Sequence, residues 1–496
     1  MGDCKVECDS SNSLSFEQEK KPRGSNTSFS TKFVAKRFPQ YFVALAANIN
    51  GFALGAGWFW SSTGVPGMAK SGDLGDLTKS DRSWITSAPM LGALLACPIT
   101  AICLNHLGRR NSLLWFSIPG SLSWFIIAFS NSIPVILVAR VAVGIFCGLS
   151  GIIGPLLIAE SVEAPFRGLL MCMFEFAICI GTLYVYIIGS FMDWHIQAIA
   201  AAIVPVVGFG VLIFVPESPY YLMEKDDYKG AVKSLCWLRG ADAGHLISEE
   251  IEEVSQTVKN RRCDAHLSWR EVLRDQAVMK PILLSIALMT FFQGTYINVV
   301  LNATVEIFQS AGSYDEYFST ILIGVIQIIA TLVPMTLSDR IGRRILILVS
   351  LVMIVFSLIG LGLYFRLKNI YGESSQFMES ISWVPLAALV GYIIACSIGI
   401  VPLSWVITAE IAPPKAKGLA SGMAGIWGRV VGFAVIFTFW DLIQLLGNDG
   451  TYWLIASFNF AAGVVIYFFV PETRGKTLEQ IQAHFEKSNT EKATKM

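Results

Sequence analysis

The chain has 496 residues, 54% of them hydrophobic and only 15% charged, with a mean hydropathy of +0.57. An ordinary soluble domain carries roughly a quarter charged residues. Lys+Arg and Asp+Glu balance at 37 each, so no bulk attraction to nucleic acid is expected, and a soluble enzyme or DNA binder fits poorly. A spanning helix takes about 20 apolar residues, so roughly twelve would use about half the chain. The composition reads as a polytopic, all-α membrane protein. Most of the ten cysteines lie in apolar runs and none of the short external loops holds a pair, so neither a disulfide framework nor a zinc site is expected.

Residues 1–38 form a polar tail rich in Ser, Lys and Glu, and no cleavable signal peptide is expected there. Apolar stretches follow at roughly 41–63, 83–104, 111–130, 133–158, 168–191 and 194–215, each long enough to span. The segment 216–280 then holds ten Lys/Arg and twelve Asp/Glu. Six more apolar stretches run at roughly 281–304, 317–337, 345–366, 383–408, 418–440 and 450–470. Residues 471–496 are a second polar tail. The expected organisation is a tail (1–38), a six-helix half (39–215), a middle loop (216–280), a second six-helix half (281–470) and a tail (471–496). Short-loop Lys and Arg together with the tails favour one side of the membrane, which places both termini and the middle loop in the cytosol.

The halves repeat each other. LNHLGRR (104–110) matches SDRIGRR (338–344), AESVEAPFRG (159–168) matches AEIAPPKAKG (409–418), and VPESP (215–219) matches VPETR (470–474). Parallel six-span repeats are a known transporter architecture. All three junctions mix signs. They contribute Arg109, Arg110, Glu160, Arg167 and Glu217 in the first half, and Asp339, Arg343, Arg344, Glu410, Lys417 and Glu472 in the second. Charges concentrated at helix ends on one face can pair between the halves when the cytosolic side is shut and part when it opens. Arg140, near the outer end of the fourth span, reads as a hydrogen-bond hub or as an interfacial snorkelling residue. No P-loop, GxSxG elbow or His/Cys metal set appears, so no enzyme, no ATP-driven pump and no cofactor is expected.

The GRR turns, the E…R/K pairs, PESP and PETRGKTLEQI together resemble the sugar porter family of the major facilitator superfamily, over about residues 40–485. LGRRNSLL, KPILLSIALMTFF and CWLRG look closest to insect facilitated trehalose and hexose transporters. The resemblance implies a twelve-helix bundle in the cell membrane, a monomer with a sugar as its partner, moving solute by alternating access. It also implies a solute site. The family's QQLSGIN is here Phe292 to Asn298, keeping Gln293 and Asn298 but with Tyr296 at the glycine position. The family's gating tyrosine pair is Asn302-Ala303, and its GPGPIPW keeps Pro402 and Trp405. Gln327 stands where many members have asparagine.

Two replacements change charge. Glu175 takes the position of a sugar-binding glutamine, and Gly428-Arg429 that of an Asn-Trp pair. At 1.5 Å per residue they lie roughly 10 and 16 Å into the membrane, where a charge facing lipid costs about 3 kcal/mol or more. Three readings stand. They neutralise each other, or Glu175 simply accepts from sugar hydroxyls; they recognise a charged solute; or Glu175 titrates and couples transport to protons. The sequence-based expectation is a facilitative hexose or trehalose carrier with Gln293, Asn298, Gln327, Trp405, Glu175 and Arg429 around the solute. A proton-coupled porter and a non-transporting nutrient receptor on the same fold are the alternatives.

Overall fold

A computed structural model describes residues 36–242, 244–264, 276–312, 315–334, 340–372, 375–413, 416–474, 476 and 480. Its first half comprises α1 (Phe38–Phe59), α2 (Ser61–Ser71), α3 (Lys79–His106), α4 (Arg110–Phe129), α5 (Ile133–Ser161), α6 (Ala164–Phe191) and α7 (Trp194–Leu212). Prolines in the first turn start α1, α5 and α6, where a missing N–H costs nothing. Thr78 and Asp81 close a reciprocal capping box on α3, satisfying donors that the first turn leaves free.

Three short helices follow: α8 (Pro219–Glu224), α9 (Tyr228–Arg239) and α10 (Ser248–Asp264). They bury Met223, Leu235, Ile251 and Val254 in a core of their own. Lys36 N donates to Arg239 O at 2.7 Å, so these helices sit at the end of the bundle where α1 begins. That end is called the tail end below, and the opposite one the far end.

The second half comprises α11 (Gln276–Gly294), α12 (Ile297–Asn302), α13 (Thr304–Ala311), α14 (Glu316–Thr331), α15 (Arg343–Tyr371), α16 (Gln376–Ser380), α17 (Val384–Ile398), α18 (Ile400–Ile411) and α19 (Lys417–Phe469). Non-helical Gly447 (φ 73°, ψ 172°) divides the 53 residues of α19 into two helices. Among the described residues ten helical stretches are long and apolar enough to cross a membrane. The second part of α19 and the shorter apolar α14 bring the described helices into agreement with twelve crossings. This is a multi-pass membrane protein.

Within the first half, α1 packs on α5, α6 and α7, and α3 on α5. Within the second, α15 packs on α17 and α19, and α11 on α18 and α19. Backbones meet closely where glycine permits. A Cβ on Gly92 would lie 2.1 Å from Val141 O, and one on Gly144 2.2 Å from Pro89 O, so α3 and α5 touch almost main chain to main chain. Lipid tails give helices no hydrophobic reason to associate, so such small-residue contacts carry the packing. The halves meet through α3 on α19, α6 on α14 and α2 on α13.

Arg140 is the hydrogen-bond hub of the first half. It is fully buried, and its guanidinium donates to Ile85 O (3.3 Å), Gly57 O (3.0 Å) and Ser61 Oγ (2.7 Å). Trp60 and Trp124 cover its faces at 5.2 and 5.7 Å. The snorkelling alternative is excluded.

Candidate functional site

The seventh apolar stretch is broken between α11 and α12. Thr295 and Tyr296 interrupt it, and Tyr296 adopts φ 65°, ψ 19°. This is the left-handed region, which costs a non-glycine residue about 1–2 kcal/mol. The break holds because other helices satisfy it. Tyr392 Oη of α17 donates to Thr295 O at 2.6 Å, and Asn459 Nδ2 of α19 donates to Gly294 O at 3.1 Å.

Around the break lie the first two expected solute residues. Asn298 Nδ2 donates to Gln293 Oε1 at 2.8 Å, and Gln293 Nε2 donates to Gly428 O at 2.9 Å. The glycine that replaces asparagine at 428 thus still serves the site through its carbonyl. Asn298 lines a small cavity between the halves together with Trp58, Met90 and Asn302, with about 10 Å³ of space, near that of one water. Two polar atoms of its walls, Trp58 Nε1 and Asn302 Oδ1, are buried without a hydrogen-bond partner.

The tenth apolar stretch bends at Gly399 (φ −124°, ψ −87°), between α17 and α18 and three residues before Pro402. Ser350 Oγ bridges this bend, donating to Ala395 O and accepting from Ile400 N. Trp405 lies beyond it, 42% exposed, with its ring edge-on to Phe292 at 6.5 Å. Gln327 of α14 is half-buried, and its Oε1 has no partner among the described residues.

Glu175 and Arg429 do not pair in this conformation, so the mutual neutralisation considered from the sequence is not what the geometry shows. Glu175 is exposed on α6, one helical turn from Cys179, whose Sγ lies 3.4 Å from Thr331 Oγ1 of α14. Among the described residues Glu175 has no hydrogen-bond or ion-pair partner. Arg429 instead reaches across to the first half. Its guanidinium lies 4.6 Å from the Trp58 ring centre, and Nη1 is 4.0 Å from Met90 Sδ.

Further cross-half contacts gather at the far end. Arg82 Nη1 of α3 pairs with Glu306 Oε1 of α13 at 3.2 Å. Tyr186 of α6 donates to Leu301 O at 2.5 Å, and Trp84 packs on Phe433 and Phe437. The far end is therefore shut by a seam of ionic, polar and aromatic contacts. Arg82, Glu306 and Tyr186 carried no motif signal in the sequence.

Among the described residues the tail-end charges make two matching sets of contacts, each within one half. Arg109, almost fully buried, holds Glu160 through Nε (2.8 Å) and Nη2 (3.0 Å), and Glu224 through Nη1 (3.0 Å). Burial works against the Arg109 charge, yet the two carboxylates outweigh it and raise the guanidinium above its ordinary pKa. Glu217 accepts from the backbone N–H groups of Arg109, Arg110 and Asn111 at 2.8, 3.0 and 3.1 Å. The second half repeats this: Glu472 accepts from Arg343 N (3.0 Å) and Arg344 N (3.2 Å), and Arg343 Nη2 meets Glu410 at 3.4 Å. Arg110 Nε donates to Leu212 O and Arg344 Nη2 to Tyr467 O, each at the C-terminal end of a helix.

Left-handed Gly108 (φ 90°) and Gly342 (φ 107°) make the turns, where a Cβ would meet the Glu217 or Glu472 carboxylate within 2.9 Å. Arg167 donates to Val162 O rather than to Glu160. Asp339 and the Lys417 side chain lie outside the described residues. Two members had no role assigned from sequence: Glu224 on Arg109, and Arg239 of the CWLRG stretch, which binds Glu250 and Ser161 O. Only the folded middle loop brings them there.

Residues 18–485 match the family described as "Sugar (and other) transporter". The chain is 30% identical over 481 residues to a facilitated trehalose transporter of Apis mellifera ligustica, covering 95% of this chain and 94% of that one. It is 31% identical over 445 residues to the facilitated trehalose transporter of Anopheles gambiae, 89% of this chain, but it spans only 55% of that relative's length. Among solved structures, the inward-open xylose transporter XylE of E. coli superposes with a TM-score of 0.74 at 22% identity, covering 90% of this chain and 99% of that one. At that identity the likeness establishes the fold alone.

Proposed function

The chain belongs to the sugar (and other) transporter family, and from that premise we propose that it carries a hexose or trehalose across the cell membrane passively, by alternating access. The observation that carries this reading is the broken seventh helix. It sets Gln293 and Asn298 beside a cavity between the halves, with two orphaned polar atoms in its walls. Buried polar groups lacking partners cost about 1–3 kcal/mol each, and sugar hydroxyls supply both donors and acceptors. Gln327, Trp405 and Glu175, further along toward the tail end, complete the solute's path.

Residues 39–215 and 281–470 act as the two rocking halves. The tail end, with both termini (1–38 and 471–496) and the middle loop (216–280), faces the cytosol, in line with its excess of Lys and Arg. The far-end seam then closes the outside, and the conformation is an inward-facing one. The cytosolic clusters rigidify each half at its helix ends, and they meet between halves when the inner side shuts. The protein acts as a monomer. The trehalose assignment rests on the names of the relatives. A second reading, proton coupling, has one observation in its favour: Glu175 is an exposed acid beside the path with no partner among the described residues.

The test is uptake of radiolabelled trehalose and glucose by liposomes containing the purified chain, beside Gln293→Ala. Uptake above empty liposomes that the variant loses supports the reading. Absence of uptake for both sugars counts against it.

A further inference from the structure

Arg429 of α19 reaches from the second half into the first, and no anion meets it there among the described residues. One face of its guanidinium lies against the Trp58 ring of α1 at 4.6 Å, and its Nη1 is 4.0 Å from the Met90 thioether of α3. Arg140, another arginine inside the bundle, instead donates to three oxygens.

The place of the Arg429 contact in the far-end seam gives it a role. Trp84 of α3 packs on Phe433 and Phe437 of α19 at 6.1 and 4.9 Å, while Met90, further along α3, meets Arg429, nearer the start of α19. Rising numbers on one helix thus face falling numbers on the other, and the two run antiparallel. At 1.5 Å per residue the seam is roughly 12 Å deep from Arg82 to Met90. Its outermost layer is the Arg82–Glu306 ion pair, its middle layer the Trp84 aromatic cluster, and its innermost layer Arg429 on Trp58 and Met90. A guanidinium inside the membrane is costly away from water, and stacking on an indole offsets part of that cost. Cation–π attraction is stronger when the pair is desolvated than when it is exposed. The contact therefore holds while the seam is dry and weakens as water enters. A carboxylate at the same depth would hold more stubbornly, since a buried ion pair loses much when it is broken.

We propose that Arg429 stacked on Trp58 is the inner latch of the far-end seam: it holds the halves together in this conformation, sets how often the far end opens, and takes no part in holding the solute. The inference rests on the alternating-access reading, and it moves Arg429 from the solute residues expected from the sequence to the gate.

Thiol labelling reads the opening directly. Thr86 lines the seam beside Trp58 and Met90. An impermeant thiol reagent is applied to intact cells expressing the full chain with Thr86→Cys, over the background of the chain without that cysteine. The rate constant reports the open population and does not depend on how much chain is present. A desolvated cation–π contact corresponds to about a five- to thirty-fold change in that population. Arg429→Gln and Trp58→Leu are each expected to speed labelling by this factor, and the two together by no more than either alone, because they break one contact. Arg429→Lys and Trp58→Phe keep a cation and a ring, and fall between wild type and these variants. Rates that stay at the wild-type value, or that multiply in the double variant, overturn the latch. So does a loss of glucose and trehalose binding in Arg429→Gln at an unchanged labelling rate, which would make Arg429 a solute ligand. Liposome uptake by the wild-type chain separates the two levels. Sugar uptake together with unchanged labelling of the variants refutes the latch alone. Accelerated labelling of the variants with no uptake of any sugar upholds the latch and refutes carriage.

Discussion

Arg109→Ala is the most informative single perturbation of the tail-end clusters. Arg109 and Glu160 are about equally buried, 5% and 6% exposed, and the substitution removes contacts of 2.8 and 3.0 Å from the Glu160 carboxylate. Ser218 Oγ, at 2.5 Å, remains as a donor, but the buried carboxylate loses its guanidinium. Removing one partner of such a pair costs about 3–5 kcal/mol. Arg110 is a natural control next door. Its guanidinium donates to Leu212 O and Ile213 O at the end of α7, and a cation at a helix C-terminus contributes about 1 kcal/mol or less. Thermal unfolding of detergent-purified protein, followed by tryptophan fluorescence at one scan rate because such unfolding is under kinetic control, is expected to rank Arg109→Ala far below Arg110→Ala. Adding Glu160→Gln to Arg109→Ala removes the buried carboxylate charge that has lost its guanidinium and restores part of the loss. Equal melting of the two single variants, or a double variant weaker than Arg109→Ala alone, refutes the reasoning.

Three further outcomes are expected. Glu306→Gln removes the far-end ion pair, whose partial exposure limits it to about 1 kcal/mol. That shifts the conformational equilibrium about five-fold toward an open far end. The shift is read as faster thiol labelling of Thr86→Cys, a residue lining the seam cavity, and an unchanged rate contradicts the closed-seam account. Gly92→Val melts well below wild type, because its Cβ would lie 2.1 Å from Val141 O; retained stability would mean the two helices are not in main-chain contact. Tyr296→Gly relieves a left-handed residue at about 1–2 kcal/mol against the loss of ring packing on Phe439. It therefore melts near wild type, whereas Tyr296→Val, which keeps the strain and loses the ring, melts lower.

Much of this was legible in the chain. The repeated GRR, E…R/K and PES/PET junctions marked these residues as matching sets expected to pair between the halves, whereas the described contacts lie within each half, down to Glu217 and Glu472 capping equivalent turns. Gln293 and Asn298 stood out in the seventh stretch, but nothing in the sequence announced the break at Thr295 and Tyr296 between them. What sequence could not supply was azimuth. Rise per residue gives the height of Glu175 and Arg429 in the membrane, but not the direction in which each side chain points. Because α6 packs on α14 while α19 packs on α3, the two charges face different walls. The same limit hid the choice of partners at the tail end. Glu160 and Arg167 are seven apart in sequence, yet Glu160 takes Arg109 from another helix. Arg82 belongs to no motif, and only the meeting of α3 with α13 makes it half of a lock.

The central claim is passive carriage of a sugar through the cavity between the halves. Its most direct test is time-resolved uptake of radiolabelled sugar into liposomes containing the purified chain, with and without an inward proton gradient. The account predicts equilibration to equal concentrations inside and out, at a level the gradient does not change. Accumulation above the external concentration when the gradient is imposed, abolished by Glu175→Gln, would contradict it.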